Sequence, residues 1–462
     1  WAHEVLRVFS DRLVGSVDRE MMLDIVKRAA GTHLIAVNGG GDLQTCMAHH
    51  GPNASPDSEE EESGSGGGGG GGSGGADHSA ASPVHMDAGF MDSLLFCDFL
   101  HPEVDPRPYD EVGSISELRQ SMQRQLDEYN LVSTKPMNLV LFNYAVQHVS
   151  RISRVLRTPG GHALLVGVGG SGRQSLTYLA GYMGQFELKQ IRITATYGLS
   201  DFHDDLRDAM MTAAAASADG SDAAGGDGSG SGSGSGSTVG GTPTIFLLSD
   251  TQIQEETMVE NISNLLNSGE VPNMLSGEDI AAAVEAVRPA AKADRTFMKE
   301  IQLASSDVSS GKVATGRIDP TPGQLFQYWK KRCRANLHVV LAFSPVGETF
   351  RTRLRQFPSI INCCTIDSFS EWPAEALAAT ANALLASKDD GGGGAGSMSA
   401  ADVRMQSGGL RRGSTLLSEV VEMCMFMHES TINTANEFLL QLKRHYHVTP
   451  TSYLEMLQTF KE

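Results

Sequence analysis

The chain alternates short apolar runs with stretches in which apolar residues recur every three or four positions. This is the pattern of buried strands feeding amphipathic helices. Ala163–Val168 is an apolar run of strand type, followed by a glycine-dense turn (Gly167, Gly169, Gly170, Gly172) and a helix predicted over Gln174–Met183. Lys189–Thr194 alternates as a strand does, and Thr244–Asp250 and Asn336–Ser344 are apolar runs that end in polar residues. Ile360, Ile361, Cys363, Cys364 and Ile366 suggest a further strand after Phe357-Pro358, and Leu94–Phe99 is a short apolar segment. Helical spacing marks Ile115–Tyr129, the stretch through Leu139, Phe142, Val146, Val149, Ile152 and Val155, then Phe202–Met211 and Met258–Asn267. Ahead of these, Val5, Val8, Phe9 and Leu13, then Met21, Met22, Ile25 and Val26, predict two helices with Asp18 as a cap between them. The tail reads as helix throughout: Trp372–Ala386, Leu416–His428, Thr431–His445 and Ser452–Lys461. Buried strands that each feed a helix indicate an α/β doubly wound parallel sheet, here followed by a C-terminal helical lid.

Three tracts interrupt the pattern. About 51–82 holds the run Glu59–Glu62 and a Gly/Ser stretch, about 213–241 is Ala-rich and then alternates Gly and Ser, and about 388–413 is again glycine-rich. Such composition cannot bury a core, and the slow growth of loop entropy with length makes long insertions tolerable. The expected organisation is a helical segment over 1–50, a disordered linker over 51–85 and an α/β body over 86–387 containing the 213–241 insertion. A disordered insertion over 388–413 and a helical lid over 414–462 complete it.

Composition narrows the function classes. Asp and Glu number 55 against 36 Lys and Arg, a formal charge of −19, which argues against nucleic acid as a partner. Six cysteines without paired spacing fit a reducing compartment, and the adjacent Cys363 and Cys364 read as buried thiols, so no metal site is predicted. No apolar run reaches membrane-spanning length, no membrane partner is expected, and the N-terminus is no signal peptide. The chain opens mid-pattern at Trp1, as a piece of something longer would.

The chemistry concentrates at the glycine turn. Strand, glycine loop and helix in that order form a phosphate cradle: successive backbone N–H groups turn toward one anion, and the helix N-terminus adds partial positive charge. Gly167-x-x-x-x-Gly172 has P-loop spacing, with Gly169, Gly170 and Ser171 inside it, but Arg173-Gln174 replaces the usual Lys followed by Ser/Thr. Arg173 keeps a charge that can contact phosphate oxygens. Gln174 puts a bulkier, weaker amide oxygen where a hydroxyl normally ligates Mg²⁺, and Ser175 leaves the helix on a different bearing. At the end of the Thr244 strand, P-loop ATPases carry an Asp that supports Mg²⁺ and then a Glu that orients water; here the pair is Ser249 and Asp250. Asp250 is the one catalytic candidate, and the other reading is that it caps the next turn. Ser344 lies at a strand end where open sheets bind ligands, and is either a phosphate sensor or a turn residue. Arg351, Arg353 and Arg355 either reach phosphate on a neighbouring module or form a solvated basic helix. The bland alternative for the whole loop is a glycine-rich turn that binds nothing.

An α/β body with an all-helical cap is the AAA+ plan, and longer strings carry a closer likeness. Gly167–Leu176, Ser249–Ile253, Asn264–Pro272, Leu337–Leu341, Asn362–Asp367 and Val448–Leu454 resemble the fourth AAA+ module of a dynein heavy chain, most of all the axonemal group. Trp1–Glu4 with Arg7–Leu13 is similar to the end of the third module. The resemblance covers nearly everything outside the three tracts. It implies a place in an ATP-driven, minus-end-directed microtubule motor of the ciliary or flagellar axoneme. Its partners would be neighbouring AAA+ modules, the microtubule through a stalk whose heptads begin past Glu462, and intermediate and light chains. The ligand would be ATP or ADP, with or without Mg²⁺. Carried over by position, Gly167, Gly169, Gly170, Gly172, Arg173, Gln174 and Ser175 would surround phosphates, with Ser249 and Asp250 opposite and Ser344 as sensor. Cys363 stands where several modules carry arginine, which leaves a finger toward the preceding module unsupported, and Thr451 stands where some relatives carry another. Two roles remain open: a regulatory nucleotide module of the motor, or a non-hydrolysing structural spacer.

Overall fold

The computed structural model describes residues 2–13, 15–29, 95–101, 104, 107–215, 241–305, 319–386 and 415–461. The tracts at 51–82 and 388–413, and most of that at 213–241, lie outside the described residues. The N-terminal segment is α1 (Ala2–Val5), a π turn (Leu6–Ser10) and α2 (Ser16–Ala29). A two-stranded antiparallel piece, β1 (Phe96–Cys97) with β2 (Asp110–Glu111), precedes α3 (Ile115–Val132) and α4 (Asn143–Arg157). The body then runs β3 (His162–Val166), α5 (Arg173–Met183), β4 (Glu187–Gln190), α6 (Leu199–Ala214), β5 (Thr244–Ser249), α7 (Glu256–Ser268), α8 (Gly277–Ala293), α9 (Arg295–Ser305), α10 (Pro322–Asn336), β6 (Leu337–Phe343), α11 (Glu348–Gln356), α12 (Ser359–Asn362) and β7 (Cys364–Ser368). The lid is α13 (Ala374–Leu385), α14 (Thr415–Leu442) and α15 (Pro450–Lys461).

The five body strands form one parallel sheet in the order β4-β5-β6-β3-β7. β5 and β6 are buried along their whole length, as strands covered on both faces must be. Period-two alternation then sorts their side chains between two cores. Leu164, Phe246, Leu248, Val339, Leu341 and Phe343 pack under α6, α7, α8 and α10. Ala163, Leu165, Ile245, Leu247, Val340 and Ala342 pack under α3, α4, α5 and the start of α13. A third, smaller cluster holds the lid together through Leu377, Leu385, Leu417, Val421, Tyr453 and Leu457.

Several elements depart from the sequence pattern. The strand expected over Lys189–Thr194 is Glu187–Gln190, paired with β5 from Glu187 opposite Thr244. The apolar residues from Ile360 to Ile366 divide between α12, whose Ile360 is fully buried, and β7. The two lid helices expected over 416–445 are one continuous helix, α14. Thr431 and Thr434 lie within it, their hydroxyls donating to the carbonyls four residues back, at 2.7 and 2.8 Å. α8, α9 and α10 had no counterpart in the pattern.

The ends of the 213–241 tract are fastened together. The wholly buried Arg332 on α10 donates to the carbonyls of Ala214 (3.1 Å) and Ala215 (3.0 Å), and Asn336 donates to that of Ala213 (3.2 Å). α6 has no glycine cap, so these side chains satisfy its last carbonyls. Gly241 abuts the same place: a Cβ there would lie 2.7 Å from the Ala213 carbonyl oxygen. The tract therefore leaves and re-enters the body at one point.

Two histidines sit at the amino ends of the central strands, His338 on β6 buried and His162 on β3 half-buried. His338 Nδ1 donates to the Gly161 carbonyl at 2.8 Å, and His162 Nδ1 accepts the Val339 N–H at 3.0 Å. Burial lowers both from an ordinary value of 6.5 to about 4. Between these values the unfolded chain takes up protons that the folded chain refuses. Stability is then full above pH 6.5 and falls as pH drops toward 4, by up to about 1.4 kcal/mol per pH unit per histidine. Urea unfolding at pH 7.5, 6 and 5 is expected to show this slope, and replacing both histidines by asparagine to flatten it. An unchanged slope in the double variant would place the acid sensitivity elsewhere.

Candidate nucleotide site at the glycine loop

The loop follows β3, which lies between β6 and β7. Gly167 N–H donates to the Phe343 carbonyl at 3.1 Å, and Phe369 N–H donates to the Val166 carbonyl at 2.7 Å. Both neighbouring strands thus hold the point where the chain leaves the sheet. Gly170 (φ +77°) and Gly172 (φ +89°) take left-handed backbone conformations, which strain any residue with a Cβ. Gly172 is the N-cap of α5, so the loop presents its backbone at the positive end of that helix. Gly167 is packed tightly: a Cβ there would lie 2.7 Å from Phe369 Cβ and 2.9 Å from Ser171 Oγ.

Two polar atoms in this turn lack partners. Ser171 is 3% exposed, and its Oγ makes no hydrogen bond among the described residues. Arg173 lies back along the loop, with Nη2 donating to the Val168 carbonyl at 3.3 Å, while its buried Nη1 has no acceptor. Burial lowers the Arg173 pKa, and the nearby Asp250 carboxylate opposes that shift. Each unsatisfied buried group costs about 1–3 kcal/mol, a cost an anion's oxygens in the cradle would offset. The loop therefore fits a phosphate group.

The remaining candidates are engaged with one another. Gln174 is exposed, and its Oε1 accepts from Gln190 Nε2 at 3.2 Å, while Gln190 in turn accepts from the Tyr178 hydroxyl. Ser175 is half-buried in the first turn of α5. Ser249 Oγ lies 3.0 Å from both Thr251 Oγ1 and Gln252 Oε1, and Ser249 N–H donates to the same Gln252 oxygen at 2.8 Å. Gln252 also donates to the Ile191 carbonyl, so Ser249 belongs to a cap between β5 and the turn over Asp250–Gln252. Asp250 accepts from Thr251 N–H (Oδ1, 3.0 Å) and from Ser344 N–H (Oδ2, 2.8 Å). Asp250 and Ser344 are thereby brought together, on a cavity of about 250 Å³ that Phe343, Thr349, Phe350 and Arg353 also line. Arg353 does not face outward with Arg351 and Arg355. It is buried and grips Glu256 through Nε (3.0 Å) and Nη2 (2.8 Å), whereas Arg351 and Arg355 are exposed.

Two further features were not legible as a site. The N-terminus of α15 rests on the loop: a Cβ on Gly170 would meet Thr451 Oγ1 at 2.3 Å and its backbone nitrogen at 2.6 Å. A buried charge network also joins the N-terminal segment to the sheet. Arg7 pairs with Asp11 (3.1 Å), Asp11 with Arg151 (3.6 Å), Arg151 with Asp367 (3.3 Å), and Asp367 with His148 (2.6 Å). Burial lowers the His148 pKa and opposes ionisation of Asp367, yet the His148 and Arg151 contacts hold Asp367 below the usual carboxylate range. His148 stacks on Phe369 at 3.9 Å, the residue beneath Gly167. The sequence signs of this network were Arg7 and Asp11 in the string Arg7–Leu13 and Asp367 ending Asn362–Asp367.

The lid contact yields a contrast between neighbouring glycines. Gly170→Ala is expected to lose about 1–3 kcal/mol, from its positive φ and the displacement of Thr451. Gly169→Ala, whose Cβ would find only Thr451 Oγ1 at 3.8 Å, is expected to stay within about 0.5 kcal/mol of the parent. Equal effects in urea unfolding would mean that neither the left-handed backbone at Gly170 nor the Thr451 contact holds in solution.

Comparison with known proteins gives the family of the chain. The family described as "P-loop containing dynein motor region D4" matches residues 137–220 and 235–462. The chain is 34% identical to mouse (Mus musculus) dynein axonemal heavy chain 3 over 461 residues, covering all of this chain and 9% of that protein. It is 32% identical to human (Homo sapiens) dynein axonemal heavy chain 1 over 460 residues, covering all of this chain and 8% of that protein. It is 35% identical to mouse dynein axonemal heavy chain 1 over 367 residues, covering 79% of this chain and 7% of that protein. The chain thus spans less than a tenth of the length of these relatives. A P-loop on a five-stranded parallel sheet under a helical lid, matched over most of its length by one profile, makes this chain a member of the dynein heavy-chain motor family, within its D4 region.

Proposed function

We propose that this chain is the regulatory nucleotide-binding module of an axonemal dynein motor, retaining its ligand without turning it over. The parent would be an ATP-driven, minus-end-directed microtubule motor of a cilium or flagellum. Its partners would be the neighbouring AAA+ modules, the microtubule through a following stalk, and intermediate and light chains. Support for binding comes from the glycine loop, whose Ser171 Oγ and Arg173 Nη1 are buried without partners inside an anion-binding turn. The ligand's phosphates would rest on the backbone of Gly169, Gly170 and Gly172 and on these two side chains, while Gly167, whose N–H is taken by the Phe343 carbonyl, shapes the turn.

The case against turnover rests on what the other groups are doing. General-base work needs a carboxylate free to take a proton from water, but both oxygens of Asp250 already accept backbone N–H groups. Ser249 and Gln174 are drawn into a cap and into an amide pair, so neither is poised to support Mg²⁺. The structural-spacer role is the second reading, and the same engagement of Asp250 favours it if retention proves permanent.

ADP well above its dissociation constant is expected to stabilise the 462-residue chain by about 2–3 kcal/mol in a thermal-shift titration. Arg173→Ala is expected to abolish most of that shift. Steady-state phosphate release should be no faster for the parent chain than for Arg173→Ala. No shift with ADP would remove the nucleotide reading, and release well above that of the variant would make the module a working ATPase.

A further inference from the structure

The N-terminal segment meets the body mainly through polar groups. Among the described residues, its buried apolar side chains Leu6, Leu23 and Val26 pack with one another and belong to neither core of the sheet. Its contacts with the body include Glu4 with Arg154 and the Tyr109 hydroxyl, the His3 ring against Phe96 (4.9 Å), and Asp11 with Arg151 (3.6 Å). Parts of one chain that share so polar an interface move relative to one another by default. The charges are sorted along the same boundary. Arg7 and Asp11 form a neutral pair on the segment, and Arg151 and Asp367 form another on the body. Neither Arg7 Nε nor Arg151 Nε makes a hydrogen bond among the described residues, so Asp11 bridges the pairs by charge alone. Undocking the segment then removes a matched pair and strands no single ion, which is the costly case for buried charge.

The body half of this network ends beneath the glycine loop. Asp367 stands on β7 opposite Leu165 of β3, with Oδ2 at 2.6 Å from His148 Nδ1 and Oδ1 at 3.3 Å from Arg151 Nη1. His148 stacks on Phe369, the two rings 18° from parallel, and Tyr144 packs edge-on against the same imidazole at 4.3 Å. Phe369 is the floor of the loop twice over: its N–H holds Val166, and its Cβ fills the space beneath Gly167. Arg151 is shared between two carboxylates, Nε toward Asp11 and Nη1 toward Asp367. Without Asp11 its planar fork is free to move onto Asp367 bidentately, where it competes with His148 for the carboxylate oxygens.

We infer that docking of the N-terminal segment sets the rigidity of the glycine loop: Asp11 keeps Arg151 from drawing Asp367 off His148, and undocking releases the Phe369 floor. Asp11 and His148 are positioning residues in this scheme, acting on the loop through Arg151, Asp367 and Phe369. The loop would respond in this way with no ligand present, so the coupling stands apart from the nucleotide reading. Its consequence, that a docked segment prolongs retention of the ligand, rests on that reading.

Hydrogen exchange of the ligand-free 462-residue chain, followed by mass spectrometry, reads the loop directly, because the N–H groups of Gly167, Ser171 and Phe369 are hydrogen-bonded there. Asp11→Asn is expected to speed exchange at these three amides about five-fold or more, while β5 stays within about two-fold of the parent. Phe369→Leu keeps the backbone clasp and removes the ring under His148; in that background Asp11→Asn is expected to add less than about two-fold. ADP is expected to bind the Asp11→Asn chain about three-fold or more weakly than the parent. Unchanged loop exchange in Asp11→Asn, equal acceleration with and without the Phe369 ring, or equal acceleration of β5 would each overturn the inference. An ADP affinity unmoved by a loosened loop would overturn the link to retention. Absence of ADP binding by the parent would overturn the nucleotide reading, and the exchange rates would still decide the coupling. Asp11→Ser replaces Asp11→Asn if the latter does not fold; failure of both would make the segment an integral part of the body and overturn the inference as well.

Discussion

Everything at the candidate site depends on where β3 is allowed to end. The strand is clasped on both sides, by the Phe343 carbonyl accepting from Gly167 and by Phe369 donating to Val166. Because Val166 is in register with Phe343 on β6 and Ser368 on β7, the loop leaves the sheet at a common edge. The ends of β5 and β6 reach the same edge, with Ser249 opposite Ala342. Parallel register therefore gathers the loop, Asp250 and Ser344 into a few ångströms of one another, and no local feature of the loop could do so.

That edge combines a binding half and a closed half. On the loop side, Ser171 and Arg173 present polar atoms without partners, and two helix N-termini, those of α5 and α15, converge on Gly170 and Gly172. On the β5–β6 side the polar groups are engaged within the protein: Asp250 accepts from Ser344 and Thr251, and Ser249 pairs with Gln252 and Thr251. Unmet hydrogen-bonding capacity is where a ligand gains free energy, and met capacity is where it must displace something. The proposal of retention without turnover rests on that asymmetry.

A second connection runs beneath the loop. The N-terminal segment reaches the sheet through Arg7, Asp11 and Arg151, and the path ends at Asp367 and His148 under Phe369. These groups are largely buried, so each ion depends on its partner and removing one leaves another uncompensated. Glu4 adds contacts with Arg154 and with the Tyr109 hydroxyl, which tie the same segment to α4. The segment that the sequence assigns to a preceding module is thus bonded into this body.

The sequence determined the kind of protein and the kind of site. Full-length apolar runs fixed β5 and β6 as central strands and glycine spacing fixed the strand–loop–helix turn, while Arg173-Gln174 with Ser249-Asp250 carry the expectation of phosphate binding without metal-assisted hydrolysis. These are local properties, since periodicity, backbone freedom and side-chain chemistry reside in a few consecutive residues. What the tertiary structure decided is which groups are free. Arg353 looked no different from Arg351 and Arg355 until α11 turned it against Glu256, and the break expected between two lid helices disappeared once α14 formed as one. Thr451 on Gly170, and Asp367 in a chain of charges from Arg7, join residues far apart in the sequence. Partnership across such separations depends on how layers pack, and no spacing within a single element encodes it.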